Sequence, residues 1–232
     1  MIKHSLSLFY KFEIMAKKKS ITASDLIGFY MDYVLMHNHK PKSVYAFAKD
    51  NNFEEQKFYE FFGSSDALEQ SIFKVFFDNT VKALDKSGDY HSFDARNKLL
   101  SFYYTFFENL TANRSYVVHA LHEHKNGMQS LKVLSHLKKS FANYIEQLGI
   151  KTIDLKQEQL DKIQNRGLKE SAWFQLLVTI KFWLDDTSPS FEKTDIFIEK
   201  SVRASFDLID VSPLKSIVDF GKFLFKEKMH MN

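Results

Sequence analysis

The sequence predicts an all-α protein with a short three-helix head and a longer helical body. Two observations predict it. The 232 residues include 24 Phe but only 7 Gly and 3 Pro, so the chain is rich in core-forming side chains and poor in turn formers. Between those few breakers, apolar residues recur at i, i+3 and i+4, the spacing of one helix face. No internal repeat or low-complexity tract interrupts the pattern. The absence of cysteine excludes disulfides, zinc–thiolate centres and thiol nucleophiles. A net charge of +3 permits an anionic partner without demanding one. No apolar run has the length needed to span a bilayer.

Residues 1–20 read as an N-terminal arm. A short apolar stretch follows Lys3, without the long apolar core and small-residue cleavage site of a signal peptide, so a cytoplasmic protein is expected. Met15 reads as a second start. Lys17, Lys18 and Lys19 suit either a groove-following arm or a solvated terminus. The first helix begins between Thr22 and Asp25, with Thr22 or Ser24 as its cap. It carries Leu26, Phe29, Tyr30, Tyr33, Val34 and Met36 and ends before Pro41.

Next come two short helices with the spacing of a helix-turn-helix. Val44, Phe47 and Ala48 form one side of the first, and Phe58, Phe61 and Phe62 repeat the spacing on the second. Asn51-Asn52 between them supplies a turn residue that tolerates the left-handed conformation. Ala48 has no side chain beyond Cβ, so the second helix can cross close to it. Such a unit can hold a helix in the major groove of DNA.

Ser43-Val44, Phe47-Ala48, Phe53, Phe58-Tyr59, Phe61-Phe62 and Asp66-x-Leu68 keep, without a gap, the register of a known pattern. On these motifs residues 20–75 resemble the DNA-binding domain of TetR-type transcriptional regulators. The resemblance implies a helix-turn-helix domain over 21–66, a helical ligand-binding and dimerisation domain over 67–210, and a homodimer on double-stranded DNA. The positions that match the pattern for DNA contact are Ser43, Tyr45, Gln56, Lys57 and Tyr59, with Lys42 just before. Ser43 suits a phosphate contact or a plain helix cap, and Tyr59 a backbone contact or packing. The chain departs from the pattern at Asn52, Glu54 and Ser65, which replace a turn glycine, a small hydroxyl residue and a phosphate-binding lysine. Glu54, Glu55 and Glu60 oppose the counterion release that drives DNA binding, although a single Glu can accept from cytosine N4.

In the body, Ser64 or Ser65 caps a helix that runs to Leu84. Helical spacing then continues over 92–110, 113–125, 128–148, 155–165, 168–186 and 190–210. The 168–186 segment is apolar around most of its circumference, which predicts an enclosed helix. Ser188 and Pro189 form an N-cap and first-turn pair after it. The last helix has two apolar stripes, Phe191, Thr194, Ile198, Val202 and Phe206 on one, Phe197, Ser201, Ala204 and Leu208 on the other. The resemblance implies that 168–186 and 190–210 build a four-helix bundle across a twofold axis. Phe191, Ile198, Val202 and Phe206 are its candidate interface; an intramolecular core is the alternative.

Resemblance also implies a pocket enclosed by the C-terminal helices, and their aromatic residues would make it wide and apolar. Tyr103, Tyr104, Phe107 and Tyr116 are candidates to contact an apolar small molecule or lipid, together with His119, Trp173, Phe174 and Trp183. The tyrosine hydroxyls need partners when buried and are the better orienting groups. Each aromatic has plain core packing as its alternative. His119, His122 and Glu123 share a helix face at a spacing that can hold a divalent ion, without an obvious further ligand, so no metal is assigned. No cofactor is expected, and no catalytic arrangement or phosphate loop is present to suggest an enzyme.

Residues 211–232 predict a basic amphipathic helix. Leu214, Ile217, Val218, Gly221, Leu224 and Phe225 fall on one face, with Lys215, Asp219, Lys222 and Lys226 on the other. It suits an anionic membrane surface, through residues 213–228, or a docking face on protein. Two functions follow. One is a ligand-responsive transcription regulator. The other is a protein of the same architecture that has given up DNA, by analogy with the TetR-fold lipid-binding accessory protein of ubiquinone biosynthesis.

Overall fold

The structure, a computed structural model, describes residues 21–122, 131–150 and 158–210. The expected N-terminal arm and C-terminal amphipathic helix lie outside the described residues, as do Glu123 and the expected segment boundaries near 125, 128 and 155. Regular structure among the described residues is helical throughout. The chain divides into two compact units, residues 1–68 and 69–232.

The first unit contains α1 (Ala23–His37), α2 (Val44–Asp50) and α3 (Glu55–Tyr59). Thr22 caps α1 reciprocally: its hydroxyl accepts from the Asp25 N–H at 3.2 Å, and the Asp25 carboxylate accepts from the Thr22 N–H at 2.9 Å. Asn38 ends the helix in the left-handed region at φ 56°. Ser43 caps α2 by accepting from the Ala46 N–H at 3.1 Å. Phe47 is the hub of this unit, edge-on to Tyr30, Phe53 and Phe58 at centroid distances of 5.9, 5.4 and 6.3 Å. Asn52 takes the left-handed conformation at φ 54° and turns the chain. The Phe53 N–H then donates to the Ala48 carbonyl at 3.0 Å, a close approach for which Ala48 leaves room.

Helix α4 (Ser65–Asp85) spans the boundary between the units, with the Ser64 hydroxyl accepting from the Ala67 N–H at 3.2 Å. The second unit continues through a 3-10 turn (Tyr90–Ser92), α5 (Ala95–Ala112), α6 (Arg114–His122) and α7 (Ser135–Gln147). It then runs through α8 (Glu158–Asp185), a second 3-10 turn (Pro189–Phe191) and α9 (Glu192–Asp210). Phe102 on α5 lies at the centre of the aromatic core. It stacks on Phe106 at 5.4 Å and meets Tyr144 at 4.7 Å, Phe141 at 5.4 Å and Phe77 at 5.5 Å.

Two expectations are corrected. The described parts of the segments 155–165 and 168–186 form one continuous helix, α8 (Glu158–Asp185), with Gly167 in its interior. A glycine costs a helix about 1 kcal/mol, too little to break one held by tertiary packing. Nor is α8 enclosed on all sides by its own chain: Phe174 is 67% exposed and Val178 38% exposed.

Sharp hydrogen bonding fixes the corner between α8 and α9. The Asp186 carboxylate accepts from the backbone N–H and hydroxyl of both Ser188 and Thr194, at 2.7 to 3.0 Å. Burial works against its ionisation, but these four bonds outweigh burial and hold its pKa at about 2. Ser188 and Pro189 take the predicted cap and first-turn positions, but on the 3-10 turn; α9 itself starts at Glu192. Ser190 and Phe191 both adopt the left-handed region, at φ 53° and 59°.

Candidate functional site

In the first unit, the six positions singled out for DNA contact are all exposed. Tyr45 and Tyr59 are 60% and 51% accessible. Phe58, buried against Phe47, anchors α3 and leaves Gln56, Lys57 and Tyr59 at the surface. The Ser43 hydroxyl oxygen serves as a helix cap, which leaves its O–H to donate. The acidic residues act directly on their neighbours. Lys57 Nζ donates to both oxygens of Glu60, at 2.8 and 3.0 Å, and the Tyr59 hydroxyl lies 3.4 Å from Glu55 Oε1. Glu54 stands at the N-cap of α3 without forming a side-chain cap, and Lys42 precedes α2 at the surface.

In the second unit, the expected ligand residues separate. Tyr103, Tyr116 and Trp173 are core residues with little exposure. Tyr103 stacks on Phe107, and its hydroxyl is buried without a hydrogen-bond partner, which raises its pKa well above the usual value. His119 is half-buried on α6, whereas Phe174 faces solvent rather than a cavity. Tyr104, Phe107 and Trp183 do come together, around a cavity of about 290 Å³ completed by Glu108, Phe191 and Asp195. Its rim is acidic. Burial raises the Tyr104 hydroxyl pKa, and the carboxylates of Glu199 and Asp195 add to the effect. Burial likewise raises the Asp195 pKa, with Asp186 adding to it.

A second cavity, about 360 Å³, lies among α5, α7, α8 and α9 and contains none of the residues expected to bind ligand. Leu99, Ile145, Leu168, Ala172, Phe206 and Ile209 supply apolar wall. Gln175 and Ser205 supply polar groups. Ser205 Oγ donates to Gln175 Oε1 at 2.9 Å, and Gln175 Nε2 donates to Ser201 Oγ at 3.3 Å, joining α8 to α9. Gln175 had a signal in sequence as an amide inside the apolar run from Ala172 to Trp183. Ser205 had none.

The candidate interface residues are also redistributed. Ile198 and Val202 are fully buried within the chain. Phe206 lines the larger cavity, and Phe191 lies 4.5 Å under the Arg114 guanidinium. Leu208 and Ala204, from the other stripe, are exposed. Two apolar stripes on one helix give no sequence signal for which one turns inward; here the Thr194–Ile198–Val202 stripe does. The side chain of His122 lies outside the described residues, and no metal-ligand cluster occurs among those described. No described helix is long and apolar enough to cross a membrane.

Residues 98–224, more than half of the chain, match the family model described as the tetracyclin repressor-like C-terminal domain. No curated protein matches the chain.

Proposed function

We infer the function from one premise: the chain belongs to the tetracyclin repressor-like (TetR) family. It acts as a homodimeric transcriptional regulator, bound to DNA through α2 and α3 and relieved of it by an apolar small molecule in the C-terminal unit. The observation that carries this reading is the first unit's geometry. The Asn52 turn and the Phe47 hub hold α3 so that Gln56, Lys57 and Tyr59 remain exposed for base and phosphate contact. Phe174 and Val178 on α8, with Ala204 and Leu208 on α9, offer an exposed face for a second protomer. The Phe182–Phe197 pair, stacked at 4.6 Å, adds aromatic surface on the same two helices. An effector that binds one spacing of the two recognition helices better than another shifts DNA affinity by that difference. Such a regulator works in the cytoplasm, where its DNA is, and performs no chemistry.

A second reading, a family member that has given up DNA, is favoured by the Lys57–Glu60 clamp. The one cation on α3 is held by a neighbouring carboxylate, with Glu54 and Glu55 close in sequence. Titrating the full-length protein against DNA from its own promoter decides between them. Nanomolar, sequence-specific retardation supports the regulator; no saturable binding even at low salt supports loss of DNA.

A further inference from the structure

We propose that the 360 Å³ cavity among α5, α7, α8 and α9 binds an uncharged, largely apolar molecule bearing one hydroxyl or carbonyl oxygen, recognised by Gln175 and Ser205. The inference rests on the proposed function only in taking a C-terminal effector for granted.

Charge is the first argument. Among the described lining residues there is no Asp, Glu, Lys, Arg or His. A carboxylate or ammonium entering this wall would lose its hydration without gaining an opposite charge, and that cost is large. The 290 Å³ cavity is different in kind, because Glu108 and Asp195 both line it.

Polar chemistry inside the cavity is the second. Gln175 spends one N–H on Ser201 and one oxygen lone pair on Ser205. A primary amide has a second N–H and a second lone pair, and the Ser205 oxygen can itself accept. A ligand oxygen placed here can accept from Gln175, and a ligand hydroxyl can also donate. A purely hydrocarbon ligand would leave these groups unmatched. This pairing of an apolar wall with a few placed polar groups is the usual make-up of a small-molecule site.

Size and access complete the case. The volume equals roughly a dozen water volumes, enough for a short-chain or single-ring molecule. Gly167, Ser171 and Leu208 line the cavity and are exposed, which places an opening on its α8–α9 side. The bonds that would recognise the ligand are the ones that join α8 to α9. Occupancy therefore acts directly on the helix pair that carries the exposed Phe174 and Leu208.

The test is calorimetric titration of the full-length protein with 1-octanol, octanoate, octylammonium and octane at neutral pH. Octanol is expected to bind saturably, at one site per chain. Octanoate and octylammonium are expected to bind at least about tenfold more weakly, as uncompensated burial of a charge predicts. Gln175→Leu should weaken octanol by about tenfold while leaving octane unchanged, which separates recognition from misfolding. Ser171→Trp, at an exposed position, should block every probe without altering the circular dichroism spectrum. Equal binding of octanol and octanoate, binding insensitive to both variants, or no octanol binding would overturn the proposal. Because the readout needs no DNA, octanol binding without promoter retardation supports the site and removes the regulator; specific retardation without octanol binding does the reverse.

Discussion

Arg114 and Trp183 meet twice, through charge and through surface. The guanidinium lies 4.4 Å over the indole and donates to the same residue's carbonyl at 3.1 Å, with a second bond to the Leu184 carbonyl at 3.1 Å. One side chain from the start of α6 thus bonds two carbonyls in the last turn of α8 and complements that helix dipole.

Replacing Arg114 with Ala is expected to lower the unfolding free energy by about 2–3 kcal/mol, from two charged hydrogen bonds and two cation–π contacts. Lysine should recover only part of the loss, because it lacks the planar fork that reaches both carbonyls. Urea unfolding of the two variants checks both statements. Equal stability of Arg114→Lys and wild type would show that charge alone suffices.

Asp186 gives the corner a defined acid limit. Its folded pKa of about 2 lies below the ordinary 3.8, so its contribution is complete above about pH 4 and is lost as pH falls through about 2. Asp186→Asn should be less stable at pH 7, since its NH2 group cannot accept from Ser188 or Thr194. The difference from wild type should shrink between pH 4 and pH 2. Urea midpoints across that range test the prediction; a constant difference would assign the acid limb to other groups.

At the end of α3, Glu60 pairs with the Lys57 ammonium at 2.8 Å. If the protein binds DNA, Glu60→Gln should tighten binding by about three- to tenfold at moderate salt, by freeing one cation and removing one repulsion. Lys57→Ala should lower the slope of log affinity against log salt by about one. Fluorescence anisotropy with promoter DNA over a salt series gives both values.

The exposed and buried stripes of the last helix pair predict opposite outcomes for similar substitutions. Phe174→Glu with Val178→Glu should give helical monomers, because both side chains are exposed in the protomer. Val202→Asp should unfold it, since an unpaired charge at a fully buried site costs on the order of 4 kcal/mol or more. Light scattering after size exclusion, with circular dichroism, separates the two. A dimeric double-Glu variant would place the interface elsewhere.

What the sequence made legible was local. Thr22, Ser43 and Ser64 cap helices and Asn52 turns left-handed, each for reasons contained within four residues of chain. The less legible features are set by distance. The larger cavity arises where four helices leave a gap beside Gly167, Ser171 and Ala172, and small residues carry no periodic signal of their own. Arg114 finds its carbonyls far along the chain, and no spacing rule links it to Trp183. The aromatic residues that looked most like a pocket divide among core (Tyr103, Tyr116, Trp173), cavity wall (Tyr104, Phe107, Trp183) and surface (Phe174), because a ring at helical spacing fits any of these roles.

The two successive left-handed residues, Ser190 and Phe191, have a mechanical consequence. Each costs on the order of 1–3 kcal/mol, and a bulky ring in that region persists only where its surroundings over-determine it. Asp186 from one side and Arg114 from the other provide that constraint. A joint held this way sets the angle between α8 and α9 by side-chain contacts rather than by free torsion at the turn.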